Sequence, residues 1–254
     1  MKIPGIQGFG DFCRQTETDQ ALLFGIHQDK ADPLLPCQAL CQLLLVSNMQ
    51  LSPQAMTRAI ISATEGKSVD LQDLDIRSSY SGAAHAATGT GTDNMIVVEG
   101  VGITIDGTGG HTKMGELMAG AVYDGVRQVI GKQNGLTEKR SIFKQLDERK
   151  IYLGQILRNN SPMQSRIEHS LLNPHSASFM QATLAISDQY QRGLSTDLSA
   201  FDAWCQARAD ALNGALTPLP KISDSDVPLV IGKALAVFAA GDRAPERNAD
   251  SMKE

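Results

Sequence analysis

The chain has 254 residues and a formal net charge of −5, from 23 basic and 28 acidic side chains. Hydrophobic residues make up 42% of it and charged residues 20%, which excludes a wholly disordered chain and supports a packed core. The acidic balance argues against a broad nucleic-acid-binding surface. An aromatic content of 5%, with a single tryptophan, argues against a stacking platform for single-stranded nucleic acid.

The cysteines and the apolar stretches indicate the cellular compartment in which we expect the protein. Four cysteines, Cys13, Cys37, Cys41 and Cys205, are too few for a disulfide framework in a chain of this length. The first residues lack the positive region and apolar run of a signal peptide. The most apolar stretch, 227–240, is too short to span a bilayer. We therefore expect a cytoplasmic protein with neither a membrane nor a nucleic acid as partner.

The first half of the chain alternates between strand and helix patterns. Residues 1–36 carry little periodicity, and their glycine and proline residues predict turns or loose chain. The apolar run Leu43–Val46 predicts a buried strand. Ser52 as N-cap and Pro53 at the first helical position predict a helix. Apolar residues recur at helical spacing behind them, at Ala55, Met56, Ala59, Ile60 and Ala63.

A second strand and helix pattern follows. Residues 77–92 are small and polar and predict a loop. The β-branched segment 95–99 predicts a strand, and 102–106 predicts another. A long helix is predicted over 112–134, with Gly135 as its C-cap. Its apolar stripe consists of Met114, Leu117, Met118, Ala121, Val122, Val126, Val129 and Ile130.

Beyond residue 136 the pattern becomes helical. Helices are predicted over 138–150, 176–190 and 196–212, and one stripe combines Phe179, Met180, Thr183, Leu184 and Ser187. The sequence contains no visible internal repeat.

These elements predict an α/β fold in which a small mixed sheet packs against two helices in a sandwich-like arrangement, followed by a helical carboxyl-terminal extension. The predicted organisation is a divergent or loosely structured segment over 1–40, an α/β core over 41–135, the helical extension over 136–240, and a disordered charged tail over 241–254.

The most unusual segment is a run of threonines and glycines directly before a predicted strand: Thr88, Gly89, Thr90, Gly91, Thr92 and Asp93. Such a backbone can offer N–H groups to an anion or to a developing oxyanion. The alternative is a turn in which the hydroxyls and the carboxylate bond their own backbone. The segment lacks the Gly-Lys-Ser/Thr ending of a P-loop, and it precedes a strand where a dinucleotide fingerprint would follow one.

Two further groups of polar residues lie on the predicted helices. His111 stands at the start of the second helix, where it can act as a general acid or base. Lys113 and Glu116 are three residues apart there, and the alternative interpretation of this pair is an exposed ion pair. Glu65 and Lys67 stand toward the end of the first helix, with an ordinary solvated helix end as the alternative.

A metal site is weakly supported. His85, Asp93, His111 and Glu116 offer ligand atoms, but no two histidines have the four-residue helical spacing of a metal pair. We therefore predict no metal.

Four segments together resemble the adenosylcobinamide amidohydrolases: 51–67, 71–79, 87–93 and 111–117. The resemblance covers about residues 40–135, and its most specific parts are the Thr-Gly-Thr-Gly-Thr-Asp and His-Thr-Lys-Met-Gly-Glu blocks. Residues 1–42 do not resemble the family and look shortened or divergent.

The resemblance implies an enzyme of corrinoid salvage. Members hydrolyse the amide between the aminopropanol arm and the corrinoid, giving adenosylcobyric acid and 1-amino-2-propanol. The corrinoid is then a substrate, and no cofactor is implied. Two alternatives remain open, namely a corrinoid-binding protein without catalysis and a hydrolase of another amide.

Amide hydrolysis requires a base, an oxyanion site and an acid for the departing amine. For the base we consider Asp93, Glu65 and Glu116, and for the acid His111 and Lys113. The residues expected to bind the substrate are Thr88, Gly89, Thr90, Gly91 and Thr92. A threonine nucleophile with an adjacent base is the other route.

Overall fold

The structure is a computed structural model that describes residues 12–17, 20–25, 40–78, 81, 83–89, 92–157, 160–222 and 227–240. Two compact units divide the chain. We call residues 1–82 with 86–140 the sheet unit, and residues 83–85 with 141–254 the helical unit. The predicted disordered tail, 241–254, lies outside the described residues.

In the described part of the sheet unit there are six strands in two sheets: β1 (Phe12–Glu17), β2 (Gln20–Gly25), β3 (Leu40–Val46), β4 (Gln50–Leu51), β5 (Thr92–Val98) and β6 (Thr104–Ile105). The larger sheet has the order β1-β2-β3-β5. Its first two pairings are antiparallel, and β3 pairs with β5 in parallel. The short strands β4 and β6 also pair in parallel. The sheet is therefore mixed, as predicted.

Strands β1 and β2 lie in the segment for which the sequence predicted turns or loose chain. They pair in register from Phe12↔Gly25 to Glu17↔Gln20, so Thr18 and Asp19 separate them in the sequence. This pair is not the Asn-Gly or Asp-Gly sequence that identifies a two-residue hairpin. The hairpin therefore left no local signal in the sequence.

Helix α1 (Pro53–Asp73) begins as predicted. The Ser52 hydroxyl accepts a hydrogen bond from the Ala55 N–H at 3.3 Å, and Pro53 occupies the first turn. The prediction for Ile60 is wrong, because its side chain is 44% exposed and lies outside the buried face. That face consists of Ala55, Ala59, Ser62, Ala63, Gly66, Lys67, Asp70 and Leu71.

Helix α2 (Lys113–Asn134) is also capped as predicted. Thr112 accepts from the Gly115 N–H at 3.1 Å, and Gly135 ends the helix with a left-handed φ of 64°. Seven of the eight residues of the predicted apolar stripe belong to the core or pack against it, and Leu117 is the exception. The core of the sheet unit combines both helices with β3, at Leu43, Leu45, Leu51, Ala55, Ala59, Ala63, Met114, Met118, Ala121, Val122, Val126 and Val129.

The two helices approach each other closely. A side-chain carbon at Gly66 would overlap the backbone carbonyl of Ala119, so only glycine fits this contact. Before α2, the Thr108 hydroxyl donates to the Ala55 carbonyl at 2.5 Å, and the Ser62 hydroxyl donates to the Thr108 carbonyl at 2.7 Å. These contacts fix the start of α2 against the first half of α1.

The sheet unit repeats one order of elements. A strand, a two-residue strand and a helix occur as β3-β4-α1 and again as β5-β6-α2. The long strands pair in parallel from Leu40↔Thr92 to Val46↔Val98, and the short strands pair as Gln50↔Thr104 and Leu51↔Ile105. The carboxyl ends of β3 and β5 therefore lie at one edge of the sheet, and their amino ends at the other.

The described helices of the helical unit are α3 (Ile142–Glu148), α4 (Leu153–Ile156), α5 (Ser161–Leu171), α6 (Pro174–Gln191), α7 (Ser199–Asn213) and α8 (Leu229–Ala240). The predicted helix over 138–150 is shorter than expected. It starts only after its N-cap Ser141 and ends before Lys150, whose φ is 60°. The predicted α6 stripe is confirmed, because all five of its side chains are buried.

The core of the helical unit is centred on an aromatic cluster. The Phe179 ring lies 4.6 Å from the Trp204 ring and 5.8 Å from the Phe238 ring, both edge-on. Ten of the twelve residues of helix α8 are buried, which explains its apolar sequence. Within the described part of the chain, no helix combines the length and hydropathy needed to cross a bilayer.

Candidate functional site

The Thr–Gly segment lies at the amino end of β5. Thr88 and Gly89 are exposed. Thr90 and Gly91 lie outside the described residues. Thr92 and Asp93 are the first residues of β5 and pair with Leu40 and Cys41 of β3. The strand therefore begins three residues earlier than the sequence predicted, because the parallel partner β3 extends the pairing.

Helix α1 and the residues that follow it hold the start of the Thr–Gly segment through hydrogen bonds. The Ser68 hydroxyl donates to the Thr88 carbonyl at 2.9 Å, and the Ala87 N–H donates to the Ile76 carbonyl at 2.7 Å. Glu65 lies one turn before Ser68 and is exposed. The structure thus brings the Glu65 position to the same side of α1 as Thr88.

Lys67 does not fit the alternative interpretation given above, in which it lies at an ordinary solvated helix end. Its side chain is 3% exposed, on the inner face of α1. Glu65 keeps the exposed position that this interpretation expected. The two residues are therefore in different environments although they are two apart in sequence.

The second predicted group lies at the start of α2. His111 is exposed, with its ring beside Gly109. The Lys113 ammonium and a Glu116 carboxylate oxygen are 3.0 Å apart, and their side chains are 75% and 68% exposed. An ion pair this exposed contributes little to stability. The pair matches the alternative that the sequence left open.

The two predicted groups flank the β5-β6 segment of the chain. Asp93 is at the amino end of β5, and His111 follows β6. From Asp93 to Val98 the strand backbone rises about 17 Å, at roughly 3.3 Å per residue.

Sequence reasoning missed a charged cluster between the two helices. The Arg127 guanidinium donates to one oxygen of Asp70 at 2.8 Å and lies 4.6 Å from the centre of the Tyr123 ring. Asp70 has a fully buried side chain, and its second oxygen has no hydrogen-bond partner. Burial raises the pKa of the Asp70 carboxyl to about 6, although Arg127 opposes this rise. The hydrogen bond from the Tyr123 hydroxyl to Asp73 raises the pKa of that phenol.

At the carboxyl edge of the sheet, the backbone that follows β3 and the backbone that follows β5 lie in close contact. The Gly102 N–H donates to the Asn48 carbonyl at 2.9 Å, and side-chain carbons at Gly100 or Gly102 would approach that same carbonyl. Glu99 accepts from the Leu51 N–H at 2.9 Å. Glu99 therefore fixes the backbone at this edge, a role that no sequence motif indicated.

No group of three or more His, Cys, Asp or Glu residues suited to a metal ion occurs among the residues that the structure describes. The helical unit has an open cavity of about 200 Å³, lined by residues that include Phe143, Tyr152 and Glu168. This volume is below the roughly 300–1,000 Å³ typical of small-molecule sites, so we do not assign the cavity to a large substrate.

The fold and site thus define an α/β unit with a hydroxyl-rich segment at the amino end of a strand. Comparison with known proteins shows which family this unit resembles. Residues 42–138 match a family model described as adenosylcobinamide amidohydrolase. This match confirms the predicted resemblance for that segment, which makes up most of the described sheet unit.

One similar curated protein is an uncharacterized protein of Methanocaldococcus jannaschii. The two sequences are 49% identical over 92 residues, which is 36% of this chain and 36% of the relative. The chain therefore spans about a third of the length of that relative. No solved structure matches.

Proposed function

We propose that this protein hydrolyses the aminopropanol amide of adenosylcobinamide, giving adenosylcobyric acid and 1-amino-2-propanol in cobinamide salvage. The observation that carries the proposal is the family match over residues 42–138, which includes the Thr–Gly segment and the helices that hold it. The proposal takes the corrinoid as the small-molecule substrate, requires no cofactor or metal, and places the reaction in the cytoplasm.

The chemical step is proposed at the amino end of β5. Asp93 acts as the general base that takes a proton from water, and the water oxygen attacks the amide carbon. Backbone N–H groups of the Thr–Gly segment stabilise the oxyanion. Glu65 is proposed as the alternative candidate for the base, because it lies one turn from Ser68, which contacts Thr88. Asp93 returns that proton to the amide nitrogen as the carbon–nitrogen bond breaks, so the amine leaves and the carboxylic acid remains.

His111, Lys113 and Glu116 receive no chemical step in this proposal. These residues follow β6 in the chain, and Lys113 and Glu116 are bonded to each other in solvent. We expect them to matter only for contacts with distant parts of a large substrate. A His111→Ala variant therefore separates this assignment from one in which His111 is the general acid.

The test is incubation of the purified full chain with adenosylcobinamide under anaerobic, dim-light conditions, with both products measured by mass spectrometry. Wild type should release both products. Asp93→Asn should lower kcat by about 10²–10⁴-fold, the usual contribution of a general base. His111→Ala should keep kcat within a few fold, and Gln128→Ala, at an exposed position of α2, is the control.

Each other outcome identifies an alternative. A corrinoid spectral shift without product would indicate a corrinoid-binding protein that lacks catalysis. Turnover of simple amides without preference for the corrinoid would indicate a hydrolase of another amide. Loss of kcat in His111→Ala equal to that in Asp93→Asn would contradict the proposal that His111 has no chemical step.

A further inference from the structure

Strand β5 lies at one edge of the larger sheet, and its side chains are far more exposed than those of its neighbour. In the described part of the chain the sheet order ends at β5, which pairs with β3. Leu43, Leu44 and Leu45 of β3 are buried, whereas Ile96 and Val98 of β5 are 58% and 39% exposed. An open apolar edge is a liability, because its backbone can pair with the strand of another chain. This edge therefore requires an explanation.

The backbone of β5 has polar groups that point away from β3. The Ser47 N–H donates to the Val98 carbonyl at 2.9 Å, so the polar groups of Val98 point toward β3. Because these groups alternate along a strand, those of Ile96 also point toward β3, and those of Met95 and Val97 point to the other side. Among the described residues no strand lies on that side of β5. Met95 and Val97 thus offer N–H donors and carbonyl acceptors to an added strand.

The exposed part of β5 also lacks charge. Residues 94–98 contain no acidic or basic side chain, although the whole chain has a net charge of −5. Glu99 follows the strand, and its carboxylate accepts from the Leu51 N–H at 2.9 Å. Charged residues usually protect a sheet edge, and the sequence of β1, at the other edge, includes Arg14 and Glu17. Two copies of this acidic chain can therefore meet along residues 94–98 without opposing like charges.

The sequence of β5 is complementary to itself in one antiparallel register. With a twofold axis at Val97, Ile96 of each copy lies opposite Val98 of the other on the exposed face. These are non-hydrogen-bonded pairs, whose Cα atoms approach to about 4.5 Å. With the axis at Ile96, Val98 would oppose Asn94, and with the axis at Met95, Ile96 would oppose Asn94. Of these three registers, the one centred on Val97 gives both exposed apolar residues apolar partners.

We propose that β5 is a dimer interface, at which a second copy of this chain adds its own β5 antiparallel to the first with Val97 on the twofold axis. The Val97 N–H of each copy donates to the Val97 carbonyl of the other. The two larger sheets then form one continuous sheet. The interface is the same patch on both copies, as a twofold dimer requires. The pairing is independent of the proposed hydrolysis.

Sedimentation equilibrium of the purified full chain over a wide concentration range tests the interface. Wild type should change from one chain to two as the concentration rises, and the mass should stop at two, because the pairing uses the β5 edge of both copies. Ile96→Lys should raise the dissociation constant of the dimer at least about tenfold, since it places two ammonium groups in the interface. Val69→Lys is the matched control, because Val69 is 49% exposed on α1, and it should dimerise as wild type does.

Three results would overturn the proposal. The first is a wild type that stays monomeric at every concentration, and the second is a dimer that Ile96→Lys leaves intact. The third is growth beyond two chains, which would mean open-ended association in place of a twofold pair. Backbone circular dichroism of Ile96→Lys should match that of wild type, because Ile96 is exposed within one copy.

Cysteine cross-linking tests the register and does not depend on a lysine variant. Chains with Ile96→Cys and chains with Val98→Cys are mixed and oxidised, and the joined tryptic peptides are identified by mass. These peptides span residues 78–113, which contain no native cysteine. The mixed pair should form at least about tenfold faster than either like pair, because like positions lie diagonally at roughly 7–8 Å, beyond disulfide reach. Faster joining of Ile96→Cys to itself, or no joining of the mixed pair, would overturn the register.

Discussion

Asp70 is a buried carboxyl group at the contact between α1 and α2, where its ionisation is unfavourable. Its carboxyl is fully buried, accepts from Arg127 through one oxygen and leaves the other without a hydrogen bond. Burial therefore outweighs the ion pair and raises the pKa of Asp70 to about 6 from an ordinary value of 3.8. Replacing a buried pair of this kind by well-packed apolar residues is often neutral or stabilising, so the pair is weak evidence for stability.

The raised pKa predicts how stability depends on pH. Between about pH 4 and pH 6 the folded state binds more protons at Asp70 than the unfolded state, so the free energy of unfolding falls as pH rises through this window. The loss attributable to Asp70 is at most about 3 kcal/mol by pH 7. Asp70→Asn cannot titrate, so the stability of wild type relative to this variant should fall by up to that amount between pH 4 and pH 7.

Urea unfolding of wild type and Asp70→Asn at several pH values measures this difference. Subtracting the free energy of unfolding of the variant from that of wild type removes the effect of the carboxylates that the two proteins share. A constant difference across the pH range would mean that Asp70 titrates in the folded state as it does in the unfolded chain.

At the scale of elements, the parallel contact of α1 and α2 depends on one missing side chain. A Cβ at Gly66 would overlap the Ala119 carbonyl, which belongs to the helix backbone and cannot rotate away. Gly66→Ala must therefore separate the helices, and we expect it to lower the free energy of unfolding by about 1–3 kcal/mol, as overpacking does.

Gly120 provides the matched control on the facing helix. A Cβ there meets nothing within 4 Å. Gly120→Ala should therefore stabilise the protein by up to about 1 kcal/mol, from helix propensity alone. Circular dichroism during urea unfolding distinguishes the two variants by the sign of their effects. Equal effects would mean that propensity, not the helix contact, decides the role of Gly66.

The elements also show what local sequence can and cannot predict. Ser52, Thr112 and Gly135 were identified correctly because capping depends on residues within one turn. The Ser68–Thr88 bond joins residues 20 apart, and the Arg127–Asp70 bond joins residues 57 apart, so both arise only from packing. Lys67 was detectable in principle, because the four-residue apolar series of α1 passes through it.

At the scale of the whole molecule, each unit has a core of its own. The single tryptophan, Trp204, belongs to α7 in the helical unit and lies edge-on to Phe179. Its fluorescence therefore reports on the helical unit alone, and backbone circular dichroism reports on both units. This gives the helical unit a local probe that needs no added label.

The aromatic cluster predicts the stability of the helical unit. Phe238 has a fully buried side chain and packs edge-on against Phe179 at 5.8 Å. Phe238→Ala should lower the unfolding free energy of this unit by about 3–5 kcal/mol, through lost burial and the cavity it leaves. Trp204 fluorescence in urea measures the change. Leu216→Ala is the control, because Leu216 is 89% exposed, and it should leave the Trp204 transition unchanged.

Cys205 gives an independent measurement of the same core. Its thiol is 1% exposed, and burial, with the nearby Asp202 carboxylate, raises its pKa to about 12. At pH 8 an alkylating reagent can therefore react only when the helical unit opens, because the thiolate is the nucleophile. Phe238→Ala should accelerate labelling of the Cys205 peptide by about 10²–10⁴-fold, the factor that its loss of stability predicts. Peptide mass spectrometry follows this residue separately from the other cysteines. Fast labelling in native wild type would contradict this expectation. It would show that α7 opens locally while the aromatic cluster stays folded.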